Sequence, residues 1–395
     1  LGPIVVASLA CLQPGIDPVF LTLLSSAHPI RTIDHGWFVG ATQAGMAVGS
    51  LIIWWAGSRM PRLAGPVAAL GALLAAACTA LVGSPEMLMD IRAVYGFAMG
   101  LIYTQAMSDA AAGRPNGAYG AVFLLQLILS SICALLLPAV ADATSPGVAL
   151  ATLCAVPLLA LLLSISRADI VPHLGLDLEL PQQGERRPVP AAGWALAAAT
   201  FLIICSTMMV WSFTGALAVQ ARISEDIIGG AVAIGSIAGA LTALTVMREQ
   251  PIIPLPVTGF LSGLALLSPI FATSLGGPML FVAAVILLNI GSTAIIIRGS
   301  GMATAQSRDP LFRRLVACTH PLGMIVGPVI GSVATSLMGT AGLLTAAIAT
   351  ISAAVGAFGI SQRYRRLLQL QPADLDELHP VSPTTVHPVL QGGDI

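Results

Sequence analysis

Lysine is absent from this chain, and charged residues of every kind make up only 9% of it. A soluble domain carries about one-quarter charged residues, so the composition excludes an ordinary water-soluble globular protein. All seventeen cationic residues are arginines, a compositional bias rather than a chemical device. The formal net charge of −1 provides no basic surface for nucleic acid. The six cysteines, Cys11, Cys78, Cys133, Cys154, Cys205 and Cys318, lie in apolar segments without paired spacing. That spacing speaks against a disulfide framework or a metal site, and neither metal nor cofactor is expected. The chain also lacks a Gly-Lys phosphate loop, an HExxH pair and a polar domain large enough to hydrolyse a nucleotide. An enzyme is therefore not expected, and any work done here must draw on a gradient.

Long apolar runs are abundant. Hydrophobic residues form 56% of the chain and the mean hydropathy is +0.90. Apolar segments run at roughly 3–26, 36–57, 64–84, 87–109, 117–141, 146–166, 191–219, 227–247, 252–274, 278–305, 312–336 and 339–360. Each is near the length of about 20 residues that crosses a bilayer as a helix. The first is longer than a signal-peptide core and lacks a cleavage site, so it reads as a true span. These segments predict an all-α integral membrane protein with twelve spans, its main partner a lipid bilayer.

The arginines are sorted. Thirteen of the seventeen fall in every second gap: Arg59, Arg62, Arg114, Arg167, Arg186, Arg187, Arg248, Arg308, Arg313, Arg314, Arg363, Arg365 and Arg366. The other gaps hold only Arg31 and Arg222, beside several acids. Short cytoplasmic loops accumulate basic residues, so both termini are expected in the cytoplasm, in a bacterial inner membrane.

Residues 167–190 form a polar, proline-rich stretch after six spans. The expected organisation is an N-terminal six-helix bundle (1–166), a cytoplasmic central loop (167–190), a second six-helix bundle (191–361) and a cytoplasmic tail (362–395), largely disordered. The halves are weakly similar at an offset of about 190 residues: Gly45 and Gly49 match Gly235 and Gly239, Pro61 matches Pro251, and Pro138 matches Pro328. Internal duplication follows as an expectation, and repeats of this kind place a substrate site between the halves.

Three charges fall clearly inside spans: Asp17, Arg92 and Arg298. Each costs about 2.5–3.5 kcal/mol at mid-helix, so each needs a reason. Asp17 sits in QPGIDPVF, where Pro14 and Pro18 remove backbone donors and a kink is expected. Gln13, four residues earlier, shares its face. Burial favours a neutral carboxyl and a neighbouring cation favours a charged one, so Asp17 suits a proton site. It equally suits the cap of a broken helix. Arg92 in span 4 lies at comparable depth, and the two are candidates for a protonation-sensitive pair or a fixed structural one. Gly96 and Gly100 continue the face of Arg92 at four-residue spacing, which permits close helix approach.

Arg298 in span 10 has no acid near it in sequence, although Asp109 is a candidate partner. Its planar fork suits a carboxylate, with Asn289 as a second contact; snorkelling to the inner surface is the alternative. His320 is either a proton carrier or a packed, hydrogen-bonded residue. Tyr95 and Tyr103 complete the candidate cavity lining. Trp37, Trp54, Trp55 and Trp194 sit near span ends as interfacial anchors.

Two stretches carry a family resemblance. Gly49 to Arg62 (GSLIIWWAGSRMPR) is similar to the loop between spans 2 and 3 of the major facilitator superfamily, with Gly49, Arg59 and Arg62 in register. Ser58 stands where the family has an acid, Trp54 and Pro61 where it has glycines, so a basic anchor remains without the family's full charge relay. Arg92 to Gly100 (RAVYGFAMG) resembles the family's span-4 arginine followed by spaced glycines. The family's antiporter signature is missing from span 5, while a related string, Gly327, Pro328 and Gly331, occurs in span 11. The resemblance implies a secondary transporter working by alternating access, a monomer that moves a small-molecule substrate. Two buried arginines and the missing signature point to proton-coupled symport of an organic anion. Proton-driven efflux of hydrophobic compounds is the alternative, and a non-transporting membrane sensor or assembly partner is the reading from another class.

Overall fold

The computed structural model describes residues 1–28, 30, 35–57, 59–61, 63–173, 188–248 and 253–369. Every regular element among them is an α-helix: α1 (Gly2–Ala10), α2 (Gln13–Ala27), α3 (His35–Ala56), α4 (Ala64–Leu81), α5 (Pro85–Ala110), α6 (Pro115–Ala143), α7 (Pro146–Thr152), α8 (Ala155–His173), α9 (Ala191–Gln220), α10 (Glu225–Val246), α11 (Leu255–Leu275), α12 (Pro278–Thr304) and α13 (Pro310–Gln369).

Proline decides where the first and sixth apolar segments break. A proline ring clashes with the carbonyl four residues earlier. Pro14 forbids continuation through Ala10, and α1 ends at Ala10. The break at Cys11 and Leu12 thus falls one turn before the Pro14–Pro18 stretch where the kink is expected from sequence. Pro157 acts in the same way on Leu153, and α7 ends at Thr152. That second break has no counterpart in the sequence reading. A different device interrupts α13: Gly339 adopts φ 62°, ψ −147°, a left-handed backbone that suits glycine.

Nine helical stretches among the described residues are long and apolar enough to cross a membrane. The count falls below twelve for local reasons. The helices α1 and α2 are too short singly, α5 carries Glu86, Asp90, Arg92 and Asp109, and α13 joins two apolar segments across Gly339. Two of the expected boundaries shift. Helix α8 continues to His173, into the expected central loop, and α13 continues to Gln369, into the expected tail; residues 174–187 and 370–395 lie outside the described set.

Helices α1 to α8 pack largely on one another, and so do α9 to α13. The two groups meet where α13 lies against α3 and α5, and where α6 lies against α10 and α12. Glycine sets the closest crossings. A β-carbon on Gly45 or Gly49 of α3 would overlap the carbonyls of Ala93 or Phe97, and one on Gly96 or Gly100 of α5 would overlap those of Thr42 or Met46. With no side chain on either surface, the α3 and α5 backbones come into contact. Gly327 of α13 packs in the same manner on the Cys205 carbonyl of α9, and Gly331 on Met209 and Phe213. Pro328 stays inside α13.

Candidate functional site

The α3–α5 crossing brings Arg92 against Thr42. The Arg92 Nε donates to Thr42 Oγ1 at 3.2 Å, and the Thr42 hydroxyl in turn donates to the Phe38 carbonyl at 2.9 Å. The guanidinium carbon sits 4.5 Å from the Phe20 ring centroid and 4.4 Å from that of Tyr95. Aromatic faces attract a cation, more strongly when water is excluded. Arg92 is only 2% exposed, and its Nη2 has no hydrogen-bond partner among the described residues. It is held by aromatic faces and one hydroxyl, with donors left uncommitted.

Asp17 belongs to the same cluster. Its Oδ1 accepts from Gln13 Nε2 at 2.9 Å, the i to i+4 contact the sequence spacing predicts. Both residues line a cavity of about 10 Å³, together with Thr42, Gln43, Tyr95 and Met324. That volume is about one water molecule. Thr42 and Tyr95, which touch Arg92, therefore share a wall with Asp17. The two charges interact electrostatically, but among the described residues they do not meet in an ion pair. Phe20, one turn beyond Asp17 on α2, covers the guanidinium instead. Asp17 and Arg92, expected from sequence as a contact pair, are thus held separately, the one by Gln13 and the other by Thr42, Phe20 and Tyr95.

The overall course of the chain resembles that of solved transporters. The human organic anion transporter MFSD10 (TETRAN) superposes with a TM-score of 0.67 at 14% identity, over 90% of this chain and 97% of that one. A bacterial homologue of the iron transporter ferroportin, in an outward-facing state, gives 0.66 at 14% identity, over 92% and 98%. The chain has the major facilitator fold. No family model and no curated protein sequence matches it.

Within the major facilitator fold the other expected site residues scatter. Arg298 is 6% exposed and donates through Nη1 to Thr258 Oγ1 of α11 at 2.7 Å, while its Nη2 has no partner among the described residues. Asn289 donates to the Val285 carbonyl of its own helix at 3.0 Å and lies beside Gly235 of α10. Nine residues at 3.6 per turn is two and a half turns, so the two side chains leave α12 on opposite faces. They do not form one anion site.

His320 and Tyr103 lie together, with ring centroids 6.0 Å apart, and Phe123 stands edge-on to His320 at 5.3 Å. Neither lines the Asp17 cavity. Arg59 is exposed, and Arg62 lies outside the described residues. Gly49 serves the α3–α5 crossing. A larger cavity of about 350 Å³ opens beside that loop, lined by Gly57, Met60, Pro61, Gln105, Asp109 and several apolar side chains. There Gln105 Nε2 donates to Asp109 Oδ1 at 3.0 Å.

Four contributors to the Asp17–Arg92 cluster escape a search for charges: Phe20, Thr42, Gln43 and Met324. Phe20 had a signal, since it stands three residues beyond Asp17 and one turn along the same face. Thr42 stands three residues before Gly45, at the crossing, but nothing in its own neighbourhood marks it as a partner of an arginine fifty residues away.

Proposed function

We propose that this chain is a secondary transporter that moves a small organic solute, an organic anion, by alternating access, with proton symport as the driving reaction. The carrying observation is the separated pair: Asp17 held by Gln13, and Arg92 held by Thr42, Phe20 and Tyr95, around one small cavity. A proton taken up by Asp17 removes the negative charge facing Arg92. The guanidinium, with Nη2 uncommitted, then offers a carboxylate or similar anion its two-pronged donor geometry. Loss of proton and anion on the far side restores the separated pair. In this reading the chain has twelve spans in two duplicated six-helix bundles, with both termini in the cytoplasm of a bacterial inner membrane. The fold match supports it, as does the fact that one neighbour in the fold is an organic anion transporter.

A second reading, proton-driven efflux of hydrophobic compounds, draws on the cavity wall. Met46, Met99 and Met324 line it beside the polar groups, and methionine adapts to varied apolar shapes. Thermal unfolding of the purified protein against carboxylates and lipophilic cations separates the two. A ligand at 100 times its Kd stabilises by about 2.7 kcal/mol. Stabilisation by a carboxylate, lost in Arg92→Gln, is expected for anion symport. Stabilisation by lipophilic cations alone, retained in Arg92→Gln, selects efflux and rejects the anion assignment.

A further inference from the structure

The break between α1 and α2 takes amide donors away from backbone oxygens well inside the first apolar segment. Leu12 N–H donates to the Leu9 carbonyl at 3.3 Å, so the Ser8 carbonyl loses its usual donor four residues on. Gly15 N–H donates to the Leu12 carbonyl at 3.0 Å, so the Cys11 carbonyl loses its own. Pro14 has no N–H to give Ala10. Hydrocarbon offers no water to replace these donors, so irregular backbone at this depth has to find partners within the protein or in a site it lines.

Helix α6 lays polar side chains against that break. On one side of it, Ser8 Oγ donates to the Val122 carbonyl at 3.1 Å. On the other, a β-carbon on Gly15 would overlap Ser130 Oγ and stand 3.4 Å from Gln126 Nε2. The stretch from Ser8 to Gly15 thus runs beside that from Val122 to Ser130, and Gln126, midway, comes level with Cys11 and Leu12. Gln126 is 7% exposed and Ser130 1%. Gln126 Oε1 and Ser130 Oγ have no hydrogen-bond partner among the described residues. Glycine at position 15 is what admits the Ser130 hydroxyl, since any side chain would take its place. This face is distinct from that of Asp17. Ser8, Cys11 and Gly15 follow at three- and four-residue spacing and share a face, whereas Gln13 and Asp17 each stand two residues from Gly15, about 200° around the helix. Neither Gln126 nor Ser130 lines the Asp17 cavity.

We propose that the Ser8 and Cys11 carbonyls, Gln126 Oε1 and Ser130 Oγ form a binding site for sodium between α6 and the α1–α2 break. All four are neutral oxygens, the donors a hard cation takes, and unwound backbone carbonyls within a membrane are suited to such an ion. With no carboxylate among them, the set suits a monovalent ion and not a strongly hydrated divalent one. Four protein oxygens, completed by water, fit sodium better than the larger potassium ion. A half-turn of the Gln126 amide exchanges its nitrogen and oxygen, which brings Oε1 to the Gly15 side. A water molecule has two protons to give these acceptors; a cation meets all of them at once. Bound there, sodium ties the two halves of the broken helix to α6. The site stands on its own geometry, apart from the solute and proton chemistry proposed above.

Thermal unfolding of the full-length protein in detergent tests this, in sodium, potassium and choline chloride at one ionic strength and with no solute added. Sodium is expected to raise Tm saturably, by about 2 °C or more over the other two salts. Ser130→Ala should abolish the shift. Gln126→Glu places a carboxylate among the oxygens and should lower the sodium concentration at half-effect about tenfold. Where Ser130→Ala fails to fold, Gln126→Glu is read beside equilibrium binding of radiolabelled sodium to the wild-type chain, which lithium should displace and choline should not. Equal Tm in the three salts overturns the site and leaves water as the partner of these oxygens. A sodium shift that neither substitution alters overturns it as well, as does wild-type protein that retains no labelled sodium. Because no solute is present, each result bears on the cation site alone and leaves the transporter reading to its own test.

Discussion

Arg92 donates to Thr42 across the glycine-lined crossing of α5 and α3, at 3.2 Å. A glycine interface and a buried cation are thereby one structure: the absence of four side chains lets a fifth, the arginine, reach a hydroxyl on the facing helix. Thr42 is chemically suited to the place because its oxygen accepts from Arg92 while its proton goes to the Phe38 carbonyl.

The crossing should fail when either helix gains bulk. Gly96→Ala places a methyl on the Thr42 carbonyl, and Gly100→Ala places one on that of Met46. Overpacking of this sort costs about 1–3 kcal/mol, so both variants should unfold at lower temperature in detergent. Gly71→Ala, which meets nothing within 4 Å, should not. Equal stability of all three would show that the close approach is not required.

Removing the hydroxyl should separate from shrinking it. Thr42→Val leaves Arg92 Nε without its acceptor, a cost of about 1–3 kcal/mol for a buried donor. Solute flux in proteoliposomes should fall by about tenfold or more, while Thr42→Ser should stay within about twofold of wild type. Similar flux in the two variants would assign Thr42 to packing alone.

Arg298 should behave as a structural residue. Its Nη1 bond goes to Thr258 of α11 and its side chain leaves α12 opposite Asn289. Arg298→Met is expected to change thermal stability and to leave the ligand-stabilisation profile unchanged. A variant of wild-type stability that no longer responds to carboxylates would return Arg298 to the substrate site.

These contrasts mark what the sequence makes legible. Asp17, Gln13 and Arg92 stand out because charge inside an apolar run is expensive, and the i to i+4 rule places Gln13 on Asp17. The glycines at four-residue spacing announce the crossing they form. Chain breaks are only half legible: the proline rule acts four residues upstream, so Pro14 ends α1 at Ala10, and Pro157 divides α7 from α8 without any charged residue to draw attention. Arg298 and Asn289 are not brought together, since nine residues along a helix point them apart. The Tyr103, Phe123 and His320 cluster joins residues about two hundred positions apart, and only tertiary packing brings them together.

The role of Phe20 is equally open to trial. It covers Arg92 at 4.5 Å from a position one turn beyond Asp17 on α2. Cation–π contacts are worth about 0.5–2 kcal/mol, so Phe20→Leu should destabilise modestly and Phe20→Tyr less. Stability of Phe20→Leu at or above wild type would remove the cation–π contribution.

The central claim is that Asp17 carries the coupling proton. Asp17→Asn keeps the shape of the side chain and the contact with Gln13, and it cannot ionise. In proteoliposomes loaded with the solute found by thermal stabilisation, two fluxes are compared: counterflow without a pH gradient and uphill accumulation driven by one. Preserved counterflow with accumulation lost is the expected result. Accumulation at the wild-type level in Asp17→Asn would contradict it and leave Asp17 as the cap of a broken helix.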